Sequence, residues 1–226
     1  MTAVNEPDKT LAPTPYLDFD KEVVRAFAEE AAGRAKTPRD RAVALFYAVR
    51  DGIHYDPYHV STDPAHLTAS RVAEELVGYC VPKATLLAAA ARYFGIPAMV
   101  GFADVKNHLT TEKLKKRLGT DVFYHHGYTV LSLDKKWHKV TPTFNKSLCE
   151  RFGVKTLEWS GEGDSMMHPF DAEGKKHMEY LVDWGAYDEL PADELIKIWV
   201  DKYPRMFVSP KAGDAAEGGD EKWLDK

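Results

Sequence analysis

"GYCVPKATLLAAAARYFGIP" (78–97) is the stretch on which the reading of this chain turns. Proline is tolerated in the first turn of a helix, where its missing N–H has no intrahelical acceptor anyway. Pro82 therefore places a helix start at residues 80 to 82. The run "VPKATLLAAAARYF" (81–94), rich in Ala and Leu, is the best helix material in the chain. Gly95 fits the C-terminal stop and Pro97 follows it. Cys80 thus stands at the N-cap or first position of a well-defined helix. Its neighbours at i+4, i+7, i+8 and i+11 are Ala84, Leu87, Ala88 and Ala91, which predicts a helix face packed into the core.

A cysteine in that position is chemically distinctive. Unpaired backbone N–H groups and the helix dipole favour the thiolate. The same N–H groups can hold an oxyanion. Thiol catalysis also needs a base, usually histidine, and a group that orients it. Cys149, in "KSLCERF", has no such setting and reads as a small buried hydrophobe.

Working outward, "DFDKEVVRAFAEEAAGRA" (18–35) and "TPRDRAVALFYAVRDGI" (37–53) carry helical periodicity, the second with Thr37 as N-cap and Pro38 at the first helical position. "HYDPYHV" (54–60) reads as a loop and "RVAEELVG" (71–78) as a short helix. After the cysteine helix the period changes. "AMVGFADV" (98–105), "DVFYHHGYTVLSLD" (121–134) and "KWHKVTPTF" (136–144) read as strands, the last two joined by a tight turn. A loop and charged helix fall in 107–119, the segment 150–190 is mixed, and 191–203 reads as a final helix. Helices followed by strands, with the cysteine helix against an antiparallel sheet, give an α+β class. The expected organisation is a flexible lead-in over 1–15, a single domain over 16–208 and a disordered tail over 209–226.

Charge and composition narrow the function. A net charge of −5 argues against a nucleic-acid partner, and "KLKKRL" (113–118) is short enough to be a solvated helix face. No run approaches the roughly 20 apolar residues of a membrane span. The first residues contain no apolar signal core, and two cysteines do not suggest a disulfide framework, so a reducing cytoplasm is expected.

The histidines supply candidate bases. His125 and His126 are adjacent in a predicted strand, so only one of them is expected to face a given site, and alternation does not choose between them. His108 follows a strand end in "DVKNHL". A zinc site drawn from Asp104, His108, His125, His126 and Cys80 would lack any recurring ligand spacing such as HxxxH or CxxC. No glycine motif of phosphate-binding type is present. No metal and no cofactor are expected.

"RDGIHYDPY", then "ASRVAEELVGYCVPKATLLAAAARYFGIPAMVGFADVKNHL", then "FYHHGYTVLSLDKKWHKVTPTFN" together resemble the transglutaminase-like superfamily, in its bacterial transglutaminase-core branch related to papain-type cysteine enzymes. The resemblance covers about residues 40–150 and more loosely extends to about 205. It implies a papain-like core with a nucleophilic cysteine opening a central helix, and a histidine and its acidic partner on adjacent strands. In that register Cys80 is the nucleophile. His126, in "HGYTVL", is the family histidine, because Tyr128 then takes the aromatic position. Two positions depart. Thr141, in "TPTF", stands where the family usually has Asp, which makes Asn145 a further candidate for the orienting role. Met99 stands where Arg is common. Tyr79, His108 and His125 are candidates for contacts to substrate or oxyanion. The implied activity is hydrolysis of an amide or related acyl bond, in a small molecule or peptide, through a thioester. Acyl transfer or another cleavage (C–C included) by the same dyad, and a non-catalytic binding module, are the alternatives. Calcium is not expected, since no acidic ligand loop is evident.

Overall fold

A computed structural model describes residues 8–171 and 173–207. The predicted tail (209–226) and the first seven residues of the predicted lead-in lie outside the described residues. Two helices open the fold, α1 (Glu22–Ala32) and α2 (Pro38–Gly52). Thr37 caps α2 as expected, its side chain accepting the Asp40 N–H. The tiny strands β1 (His54–Tyr55) and β2 (Val77–Gly78) pair in parallel and bracket a 3-10 turn (Pro64–Leu67) and α3 (Ala69–Glu75). Then come α4 (Cys80–Tyr93), β3 (Ala98–Asn107), α5 (Glu112–Leu118), β4 (Val122–Leu133), β5 (Lys136–Val140), α6 (Lys146–Phe152), β6 (Met178–Tyr187) and α7 (Ala192–Lys202). Among the described residues the main sheet is four-stranded and antiparallel, in the order β5-β4-β3-β6. This is the α+β arrangement expected, with the cysteine helix on the sheet. Among the described residues no helix is long and apolar enough to cross a membrane.

The central helix is buried more completely than one apolar face requires. Every residue from Cys80 to Arg92 is buried, and a helix apolar all round belongs at the centre of a core. Its two cations are satisfied by carbonyls at the ends of other elements. Lys83 Nζ donates to Arg50 O at 2.9 Å and Ile53 O at 2.6 Å, the orphan carbonyls where α2 ends. Burial drives the Lys83 ammonium well below its usual pKa. Arg92 donates twice to Ala98 O, at 3.0 and 2.8 Å, and once to Asp188 O at 2.7 Å. Lys83 and Arg92 thus tie the first and last turns of α4 to the elements around it.

The sheet meets α4 through β4. A Cβ at Gly127 would lie 2.7 Å from Val81 Cα, so glycine is what allows the strand backbone to touch the first turn of the helix. Thr129 Oγ1 adds a hydrogen bond to Ala84 O at 3.0 Å.

One turn of chain before that contact, β4 bulges. Ala103 faces His126, but Val105 faces Phe123, so Tyr124 and His125 both lie opposite Asp104. His125 takes a φ of +53°, in the left-handed region that histidine tolerates better than most side chains. Side chains take up the polar groups around the bulge. The His125 N–H goes to Asp104 Oδ1 at 2.9 Å, and Trp199 Nε1 donates to Tyr124 O at 3.1 Å. The Tyr203 hydroxyl accepts the Tyr124 N–H and donates to Val122 O at 3.2 Å. Asp104 comes from β3, Trp199 from α7 and Tyr203 from the residue after α7, so the last helix holds the bulge from outside.

β6 and the end of α6 fall in the segment 150–190, whose sequence read as mixed. β6 is an edge strand with Tyr180, Leu181, Val182 and Trp184 exposed, and its register with β3 shifts twice. Neither alternation nor a continuous apolar run survives in such a strand, so the period-two signal is lost.

Candidate active site

Cys80 is the first residue of α4, with Tyr79 as N-cap. The backbone N–H groups of Gly127, Val81 and Cys80 itself lie close enough to its sulfur to favour the thiolate. The glycine that lets β4 touch α4 therefore also brings a strand N–H to the thiol. Burial is nevertheless the larger influence and pushes the Cys80 thiol up to about 11.

Cys80, His125 and His126 line one cleft of about 520 Å³, much of it open to solvent. The expectation that only one of the adjacent histidines could face the site is overturned, and the bulge is the reason. The extra residue breaks the alternation along β4, and both histidines are among the residues that line the cleft. Tyr79, Tyr124, Trp199 and Tyr203 also line it, and no Lys, Arg, Asp or Glu is among the described lining residues. The Tyr79 and Trp199 rings meet edge to face, 5.7 Å between centroids.

The two histidines sit in different environments. His126 is buried, and neither ring nitrogen has a hydrogen-bond partner among the described residues. Burial alone pushes its pKa down to about 4. His125 stacks on Trp184, 5.1 Å between centroids with ring planes 13° apart. Asp104 Oδ1 lies 3.7 Å from His125 Nδ1 and accepts the Trp184 indole N–H at 3.0 Å. Burial lowers the His125 pKa, with Asp104 and Glu194 opposing. Asp104, which the sequence offered only as a zinc ligand, is thus the carboxylate in contact with His125. No local pattern marks this contact, because which β3 residue meets His125 is a matter of strand register.

The remaining candidates are elsewhere. The Asn145 amide is consumed by structure. Its Nδ2 donates to Arg50 O at 2.6 Å and Ile53 O at 2.9 Å, and its Oδ1 accepts the Tyr55 N–H at 2.8 Å. It orients the end of α2 and β1, not His126. The Thr141 hydroxyl donates to Met166 Sδ at 3.4 Å and lies beside the Tyr180 phenol. His108 pairs with Glu179 at 3.1 Å and is not among the residues lining the cleft. Cys149 and His177 line a second, open pocket that shares Tyr55, Leu114 and Phe123 with the first. Cys149 lies in the body of α6, where burial raises its thiol pKa.

No curated protein sequence matches this chain. Among solved structures, a Cytophaga hutchinsonii protein proposed to be a cysteine protease superposes with a TM-score of 0.51 at 17% identity, covering 83% of this chain and 48% of its own. This chain therefore spans about half the length of that protein. A structure described as a TGase gives a TM-score of 0.42 at 19% identity over 56% of this chain and 32% of its own. The first likeness supports the fold. At the level of sequence, the family described as the transglutaminase-like superfamily matches residues 25–142. That interval holds α2, the Cys80 helix, the bulged histidine strand and Thr141, and it is more than half of the chain, which therefore belongs to the transglutaminase-like superfamily.

Proposed function

We propose that the protein is a cysteine hydrolase of amide or related acyl bonds whose acyl group is apolar and uncharged. The observation that carries this reading is the Cys80 sulfur under three backbone N–H groups in a cleft that also holds His125 and His126. In the resting protein thiol and imidazole are both neutral, because burial raises one pKa and lowers the other. Cys80 Sγ attacks the carbonyl carbon as its proton passes to His126. The oxyanion forms beside the Cys80 N–H. His126 returns the proton to the leaving amine, and water then hydrolyses the thioester. The imidazolium formed in passing requires nearby negative charge. With Thr141 in place of an acid, Asp104, acting beside His125, is the group suited to supply it. The aromatic lining of the cleft favours an apolar acyl group.

A non-catalytic binding module is the second reading, favoured by the neutral pair and by the engagement of Thr141 and Asn145 elsewhere. The deciding experiment presents a panel of aliphatic and aromatic acyl esters and amides, then measures intact mass. A hydrolase gives an acyl adduct on Cys80 that is absent in Cys80→Ser. An added amine that diverts product from acid to amide would indicate transfer. Binding of the same compounds to wild type with no adduct and no turnover would establish the binding module instead.

A further inference from the structure

We propose that His59, His66 and Glu75 form a binding site for a zinc-class divalent cation on the outer side of the cleft wall. His59 belongs to the loop after β1, His66 to the 3-10 turn and Glu75 to the last turn of α3, so three separate pieces of chain converge. One ligand-type atom from each lies within 4.8 Å of the others. Glu75 Oε2 is 2.8 Å from His59 Nε2, and its other oxygen, Oε1, is held by Arg71 Nε at 2.6 Å. The two imidazole rings are 5.8 Å apart. His66 Nδ1 is buried with no hydrogen-bond partner among the described residues, so that nitrogen is not committed to another group of the fold.

The donor set selects the ion. Two imidazoles and a carboxylate suit Zn²⁺ and its first-row neighbours, whereas Mg²⁺ and Ca²⁺ require shells of oxygen. Tetrahedral bonds of about 2.0–2.1 Å place donors about 3.4 Å apart. Rotation of the partly exposed His59 and Glu75 side chains can close the remaining distance. The ion would replace the His59–Glu75 hydrogen bond through Glu75 Oε2, with His59 neutral and its proton on Nδ1. Arg71 would keep Oε1 and orient the carboxylate from outside, as supporting partners of metal ligands do. Three protein ligands leave a fourth position for water. His59 lies between Pro57 and Val60, both of which line the Cys80 cleft. The cation would therefore fasten that wall to α3, whatever reaction the cleft performs.

The test is calorimetric titration of zinc chloride into the full chain, with magnesium chloride as control. One zinc per chain is expected, no magnesium uptake, and binding at least about ten-fold weaker in both His59→Ala and Glu75→Gln. Hydrogen exchange should slow across residues 57–67 when zinc is added to the wild type. Circular dichroism confirms that each variant folds, and His66→Gln replaces either one that does not. Absence of zinc binding by the wild type overturns the proposal. So does equal binding by wild type and variants, which would assign the ion to the cleft thiol and histidines.

Discussion

Cys80 and His126 are held neutral by the same cause, burial, and that determines how each should titrate. With the thiol pushed up to about 11, iodoacetamide labelling of Cys80 should rise only in alkaline solution, later than the free-thiol value of about 8.5. A reactive plateau below pH 7 would instead mean a preformed ion pair. His126 is expected to couple stability to pH. Its folded pKa, about 4, lies below the unfolded value near 6.5, so its contribution is complete above pH 6.5 and is lost as pH falls towards 4. That contribution is about 3 kcal/mol. His126→Leu, which breaks no hydrogen bond among the described residues, should flatten urea-derived stability between pH 6.5 and 4. It should not abolish the slope, because burial also lowers His177 to about 4. An unchanged slope would count against a buried neutral His126.

At the scale of elements, the decisive features are a glycine contact and a bulge. Gly127→Ala places a methyl against the Val81 backbone, and separating β4 from α4 should cost about 2 kcal/mol in urea unfolding. It should also move the Gly127 N–H away from the Cys80 sulfur and slow acylation. The left-handed backbone at His125 makes a second, comparative prediction. His125→Val should be less stable than His125→Gly by about 1–2 kcal/mol, since only the β-branched residue resists φ of +53°. Equal stabilities would mean the bulge is absent in solution. The periodicity of "FYHHGYTVL" announces a strand, and that reading holds for β4. It cannot announce which residue is extra, because the bulge is completed by Asp104 on another strand and by Trp199 and Tyr203 from the end of the chain.

Over the whole molecule, the roles of Asn145 and Asp104 separate architecture from chemistry. Asn145→Ala should destabilise by at least about 2 kcal/mol, because Arg50 O, Ile53 O and Tyr55 N all lose a buried partner. It should leave the pH profile of Cys80 acylation where it was. Asp104→Asn keeps an acceptor for the His125 and Trp184 N–H groups while removing the charge. Acylation should slow by about a hundred-fold with little change in substrate affinity. Stopped-flow acylation with a chromogenic ester distinguishes the two. A slowed reaction in Asn145→Ala with normal kinetics in Asp104→Asn would reverse the assignment.

Local rules were enough for much of this protein. Pro82, the Ala-rich run after it and Gly95 give α4 its limits, and they put Cys80 at its N-terminus because capping and propensity act within a few residues. The family register added His126 and flagged Thr141. The tertiary structure alone decided which groups meet. Asn145 and Thr141 were drawn into the support of α2, β1 and Tyr180, and β6 gave up its alternation at an exposed sheet edge. His125 was turned into the cleft beside His126, and Asp104 was brought to it from β3. Those outcomes depend on strand register and on a helix arriving from residues 192–202, and contacts between positions 20 to 100 residues apart leave no period in the sequence to be read.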